Sequence, residues 1–333
     1  MSRRADHRDP ALHPATPLEP GAPLAYDRWA RLRGLIETPL PLPGQGHTLD
    51  RWRMLASVAA EDLSLAKVYE SHADALAILR ELGADGQAGV WAVFAADPPG
   101  ALLRARRGAG GLSGQKAWCS AAAHIDAALV TCIDEAGERR LARVDVQQPG
   151  LVLQPSSWAA AGMADTETLT VVFENVAYEF VGVARSYLDR PGFWQGAIGV
   201  AACWFGAAAA IARTFRQRCE QRADAHALAH LGAIDAALQA AGGALQAAAA
   251  WIDAHPRQSA QHLALATRAT VERAVDDVIM RCGRALGAGP LCGDPVHARR
   301  VQDLTVFVRQ SHAERDLEAL GQCCIAAADE WHL

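Results

Sequence analysis

The sequence lacks the marks of a nucleic-acid, zinc or secreted protein. Its 32 Lys and Arg are outnumbered by 37 Asp and Glu, a net charge of −5, and the pI of 6.2 leaves no basic field to hold a phosphate backbone. Nucleic acid is therefore excluded as the expected partner. The eight cysteines, at positions 119, 132, 203, 219, 282, 292, 323 and 324, include no CxxC pair and no His spacing that builds a zinc site. They are predicted to be buried thiols of a reducing compartment, and no metal is expected. The first twenty residues carry charge and proline where a secretory leader needs an apolar core. The most apolar run, Val200 to Ile211, meets Arg213, Arg216 and Arg218 at once and is too short for a bilayer, so a buried core helix is predicted there. A cytoplasmic location without a membrane span is the expectation.

A chain of 333 residues exceeds one small domain, and two or three packed units are expected. Residues 1–24, rich in proline and polar residues, are predicted as a flexible arm. Over residues 25–88, the segment LDRWRMLASVAAEDLSLAKVYESHADALAILRELG spaces apolar residues three and four apart without proline, which predicts a helical domain. Over residues 89–185 the texture becomes short apolar or alternating runs, VWAVFAA, AALVTCID and TLTVVFENV among them, separated by Gly and Pro. That pattern predicts a central antiparallel β domain. Residues 186–333 return to long Ala- and Leu-rich segments broken at Pro256 and between Gly287 and Pro295, which predicts a C-terminal helical bundle. The fold class is α+β in the order α, β, α.

Within that order, the block GLSGQKAWCSAAAHIDAALVTC at 111–132 resembles the acyl-CoA dehydrogenase segment in which Gly-x-Lys leads to an aromatic, then Ile-Thr-Asn and an Ala-Asp before an apolar strand. The stretch 141–182, with Gly162-Met163 and its Phe-x-x-Val punctuation, resembles the family's next strands. The similarity covers roughly residues 50–322. It implies FAD held on the β domain and against the C-terminal bundle, usually with a neighbouring subunit completing the site. It also implies a homodimer or homotetramer, an acyl-CoA or related thioester as substrate, and an electron-transfer flavoprotein as partner. On the residues that match, Trp118 falls on the family's aromatic beside the flavin ring and Ser120 on its Thr near flavin N5. An indole can cover a ring face, and a hydroxyl can donate or accept at a redox-active nitrogen. Arg222 falls on an Arg that reaches the FAD phosphates. Gly287 and Gly289 occupy the place of a Gly-Gly-x-Gly turn near adenosine, although a helix-terminating loop explains two glycines equally well.

The resemblance breaks at the catalytic base. The family's glutamate stands eight residues after an Arg-Asp near the C-terminus; from Asp303 that count reaches Ser311. The alternative position, on the first long bundle helix, is Gly196. His312 and Glu314 are the nearby residues able to handle a proton, and His312 is preferred because imidazole titrates near neutrality, although HAERD also suits an exposed, mixed-charge helix. The segment VWAVFAADPPGALL puts Phe94 where the family has Thr and offers no serine in the loop that touches flavin and thioester. Three readings follow: an FAD-dependent oxidoreductase acting on the CH–CH group of an acyl thioester, a flavin monooxygenase of the same fold, and a non-catalytic scaffold that kept the fold.

Overall fold

The computed structural model describes residues 27–98, 100, 102–106, 110–155 and 158–327, and the expected arm at 1–24 lies outside them. Among the described residues three helices come first. α1 (Arg28–Ile36) starts where the Asp27 carboxylate accepts from the Trp29 and Ala30 N–H groups, which satisfies two of the donors a helix start leaves open. α2 (Thr48–Glu61) and α3 (Leu63–Glu81) meet at Asp62, whose carboxylate caps α3 by accepting from Leu65 N–H at 3.0 Å.

The β zone is one eight-stranded sheet: β1 (Trp91–Phe94), β2 (Leu103–Ala105), β3 (Leu112–Cys119), β4 (Ala127–Ile133), β5 (Arg139–Asp145), β6 (Leu151–Pro155), β7 (Leu169–Val176) and β8 (Glu179–Val181). The strand order is β6-β7-β3-β2-β4-β5-β8, with β1 also laid against β4. The antiparallel expectation needs correction here, because β1 and β2 each pair with β4 in parallel. The chain leaves β1 through the β2–β3 hairpin before β4 returns in the same direction, and hairpin spacing alone cannot reveal such a crossover.

The C-terminal zone contains α4 (Ser186–Asp189), α5 (Gly192–Gln221), α6 (Ala225–Ala254), α7 (Gln261–Leu286), α8 (Gly289–Gly293), α9 (Pro295–Phe307) and α10 (Glu314–Ala327). Pro256 separates α6 from α7 as expected, whereas the 287–295 segment winds into the single turn of α8 rather than staying a plain loop. α5 is the central post and packs on α2, α3, α6, α7 and α9. Among the described residues it is the helix long and apolar enough to cross a membrane by length and composition, yet 72% of its apolar window is buried inside the protein. Gly206 sets its distance to α2: a Cβ there would stand 2.0 Å from the Ala56 carbonyl oxygen, so any side chain would push the axes apart. One apolar core runs from Leu55 and Leu65 through Val130 and Phe173 to Ile211 and Val278, across all three zones. The thiols depart from expectation: all eight are free, but Cys292 is exposed and Cys219, Cys323 and Cys324 are half-buried.

Candidate functional site

β3 carries the site, and a bulge shapes it. Lys116 pairs with Val171 and Cys119 with Leu169, so three steps on β3 face two on β7 and one residue is extra. Strict alternation would turn Trp118 inward after buried Lys116. The bulge instead leaves Cys119 buried and turns the indole out, 57% exposed. Trp118 holds φ at +59° and Ala121 at +57°, a left-handed backbone that non-glycine residues adopt at a cost and that clusters at binding sites. A large apolar ring displayed on a strained turn makes Trp118 a candidate surface for a flat partner.

Ser120 follows the last residue of β3 and heads a chain of hydroxyls. Its Oγ lies 3.0 Å from Thr168 Oγ1, which lies 2.7 Å from Thr166 Oγ1, and Thr166 Oγ1 donates to the Met163 carbonyl at 2.7 Å. A carbonyl only accepts, so the single proton of Thr166 is committed to Met163. With Thr168 donating to Thr166, Ser120 donates to Thr168. In that arrangement Ser120 Oγ has lone pairs and no hydrogen to offer outward.

The chain ends on the helical bundle. The Met163 N–H donates to Asp303 Oδ1 of α9 at 2.5 Å. Gly162 permits that approach, since a Cβ there would stand 2.2 Å from the Gln302 carbonyl oxygen. Burial pushes the Asp303 carboxyl up to about 6, with Asp62 and Asp165 adding to the rise and the Met163 N–H opposing it. Charged clasps close the same junction. Arg28 bridges Asp62 at 2.8 Å and Asp165 at 3.0 Å, Arg299 of α9 reaches Asp165 at 2.5 Å, and Trp29 stacks on His124 at 3.7 Å. These contacts bind α1, the sheet and α9 into one support behind Ser120.

Lys116 fixes the other side. Its ammonium is fully buried, donates to Thr131 Oγ1 at 2.6 Å and the Ala96 carbonyl at 3.3 Å, and is paired with Asp97. Burial pulls its pKa down while Asp97 holds it up. Asp97 also receives Arg139 at 2.8 Å. The Lys of the KAWCS segment thus anchors the exit of β1, the loop that the family brings to flavin and thioester, and Phe94 is buried at its base.

The remaining predicted residues lie apart from this wall. Ser311, at the place of the expected base, donates to Glu272 Oε2 of α7 at 2.5 Å. His312 is exposed, with Nδ1 3.2 Å from Asp316 Oδ1, and Glu314 is exposed in the first turn of α10. Arg222 is the exposed C-cap of α5. Gly287 ends α7 at φ +65° and Gly289 opens α8, and a Cβ at either would meet nothing within 4 Å. No hydrogen bond or ion pair among the described residues joins His312, Glu314 or Arg222 to Trp118 or Ser120. At Gly196, the Asp74 carboxylate of α3 comes within 2.9 Å of where a Cβ would stand and is paired with Arg190 at 3.8 Å. Sequence reasoning missed the Thr166–Thr168 chain, because the hydroxyls are brought together by the 3-10 turn ending at Thr166 and the left-handed Glu167, which strand alternation does not foretell.

No protein-family profile and no curated protein matches the sequence. Solved structures do match in shape. KijD3 in complex with dTDP aligns at TM-score 0.75 with 19% identity over 90% of this chain and 88% of that one, and a second KijD3 structure holds FMN and a dTDP-linked amino keto-sugar. Methanesulfinate monooxygenase from Pseudomonas fluorescens aligns at 0.72 with 19% identity, covering 85% and 84%. Butyryl-CoA dehydrogenase from Megasphaera elsdenii aligns at 0.70 with 16% identity, covering 81% and 80%. Helices before and after a central sheet, together with these matches, give this chain the fold of the acyl-CoA dehydrogenases.

Proposed function

We propose that the chain is a flavin-dependent oxidoreductase, and that its chemistry is that of a monooxygenase receiving reduced flavin rather than that of an acyl-CoA desaturase. The observation that carries this reading is the hydroxyl chain from Ser120 through Thr168 and Thr166 to the Met163 carbonyl, which we read as leaving Ser120 Oγ an acceptor toward the ring. A reduced flavin carries a hydrogen on N5 and an oxidised one does not, so the acceptor hydroxyl favours the reduced ring. Trp118 fits the face of such a ring. When bound, the flavin supplies the two-electron chemistry; Trp118 excludes water from one face, Ser120 orients the ring edge, and the Asp303 junction holds both in place. The base position supports the same reading, because Ser311 commits its hydroxyl to Glu272 and cannot take an α-proton. His312 is the proposed proton carrier at this end of the bundle, with Glu314 as the second candidate. Oxygen chemistry of this kind calls for a flavin reductase as partner in place of the electron-transfer flavoprotein.

One observation favours desaturation: the Asp74 carboxylate stands over Gly196, the family's alternative base position. Arg222, Gly287 and Gly289 are the proposed seat for the adenosine half if the flavin is FAD, and FMN needs none of them. A homodimer or homotetramer is supported by apolar side chains left exposed on the bundle, among them Leu228 of α6, Met280 of α7 and Ile325 of α10.

The deciding experiment titrates the protein with oxidised and with reduced flavin under anaerobic conditions. Reduced flavin is expected to bind at least about tenfold tighter, the equivalent of roughly 1.4 kcal/mol, and Thr166→Val is expected to narrow the gap by freeing the chain's proton. Equal affinity for both forms, together with bleaching of bound flavin by CoA thioesters, returns the assignment to a desaturase. Protein that retains neither flavin is a scaffold.

A further inference from the structure

A cavity of about 240 Å³ lies between the end of α1, the segment that follows it, and the faces of α2 and α3. None of its lining residues belongs to β3 or to the hydroxyl chain. Leu40, Leu42 and Leu76 give it an apolar wall, yet Arg51, Tyr69 and His72 also line it at 3%, 2% and 5% exposure. Buried polar groups are normally hydrogen-bonded, and these are short of partners. Of the five guanidinium N–H groups of Arg51, one donates to the Pro41 carbonyl at 3.1 Å, and among the described residues no carboxylate stands within ion-pair distance. The acids whose field reaches it, Glu70 and Asp74, are paired with Lys67 and Arg190 instead. The Tyr69 hydroxyl has no hydrogen-bond partner among the described residues. His72 accepts the Trp91 N–H on Nδ1 at 3.1 Å, which puts the proton of the neutral ring on Nε2 as a donor.

One cation and two neutral donors around an apolar chamber match one negative charge on a small apolar body. We propose that this cavity is a binding site for a small organic monocarboxylate. The carboxylate is held by Arg51, Tyr69 and His72 Nε2–H, and the hydrocarbon lies against Leu40, Leu42 and Leu76. Phosphate-like dianions fit worse, because a second buried charge would go unpaired. The inference does not rest on the flavin reading, since the cavity shares no residue with the flavin wall.

The test is calorimetric titration of the full chain with hexanoate, in protein with and without flavin. Saturable one-to-one binding is expected, the same in both preparations, with 1-hexanol at least about tenfold weaker. Tyr69→Phe, which keeps the ring, is expected to weaken hexanoate several-fold, and Arg51→Met to abolish saturable binding. Where circular dichroism shows Arg51→Met to be unfolded, Leu76→Trp, which fills the chamber from its half-buried edge, takes its place and is expected to block binding. Wild-type protein that shows no saturable heat overturns the proposal. So does equal affinity for hexanoate and hexanol, or binding that survives both Tyr69→Phe and Leu76→Trp.

Discussion

The turn at Trp118–Ser120 and the turn at Ser311–Glu314 are both positions where the acyl-CoA dehydrogenase pattern expects chemistry, and they are held in different ways. The first is supported from three sides, by the Lys116–Asp97 pair, the Thr168–Thr166–Met163 chain and Asp303. The second is anchored at one residue, Ser311, while His312 has only Asp316 of its own turn for company. Fixed donors and acceptors favour one redox state of a ligand over another. An exposed imidazole on a short turn instead acquires its role from whatever docks against it.

The largest test of this contrast removes the support. Asp303→Ala leaves the Met163 N–H buried and unpaired, an expected loss of about 2–3 kcal/mol in urea unfolding, with flavin affinity falling alongside. Stability that falls while flavin affinity holds would show that the junction does not support the wall. Asp303→Asn keeps an acceptor and isolates the titration. The carboxyl is raised to about 6 when folded against ~3.9 when unfolded, so the folded state binds the extra proton and this group's stabilisation fades as pH rises from about 4 to 6. His72 runs the other way: burial first, then Arg51, lowers it to about 4, so its stabilisation is complete above ~6.5 and is lost as pH falls toward 4. The two roughly cancel in the native protein. Unfolding of Asp303→Asn is therefore expected to gain about 3 kcal/mol between pH 4 and 6.5 relative to the native protein.

A smaller effect is expected at the display surface. Trp118→Gly relieves the left-handed strain and should leave stability unchanged or raise it by about 1 kcal/mol, while flavin retention, read from visible absorbance, falls by about tenfold or more. Loss of both together would assign the indole to folding. Ser120→Ala is expected to weaken reduced flavin by about 1 kcal/mol and to change oxidised flavin less. His312→Ala should alter stability by under about 0.5 kcal/mol, because the Asp316 pair is exposed; a turnover loss of at least about tenfold in its pH profile would give the ring a proton-transfer role.

The order of helix, sheet and helix was legible from periodicity, since α3 spaces buried Leu65, Tyr69, His72 and Leu79 on helical turns and β4 is apolar apart from Thr131. The family pattern singled out Trp118 and Ser120 as candidates, whereas Asp303 entered only as the residue from which the base position was counted. The bulge at Trp118 was not, because KAWCS alternates acceptably either way and the slip appears only against β7. The direction of the Ser120 hydroxyl was equally hidden: it depends on a carbonyl that only the folded loop brings to Thr166. Nor does the sequence mark Arg51, Tyr69 and His72 as neighbours, since polar residues on amphipathic helices read as solvated faces.

The buried ammonium of Lys116 also bears on assembly. It lies on β3, its counter-ion on the loop leaving β1 and its hydroxyl acceptor on β4, and none of these three segments can bury its share before the others arrive. Two inner strands and a loop must therefore lock in a single cooperative step, and backbone amides of β1, β3 and β4 should exchange with deuterium as one unit.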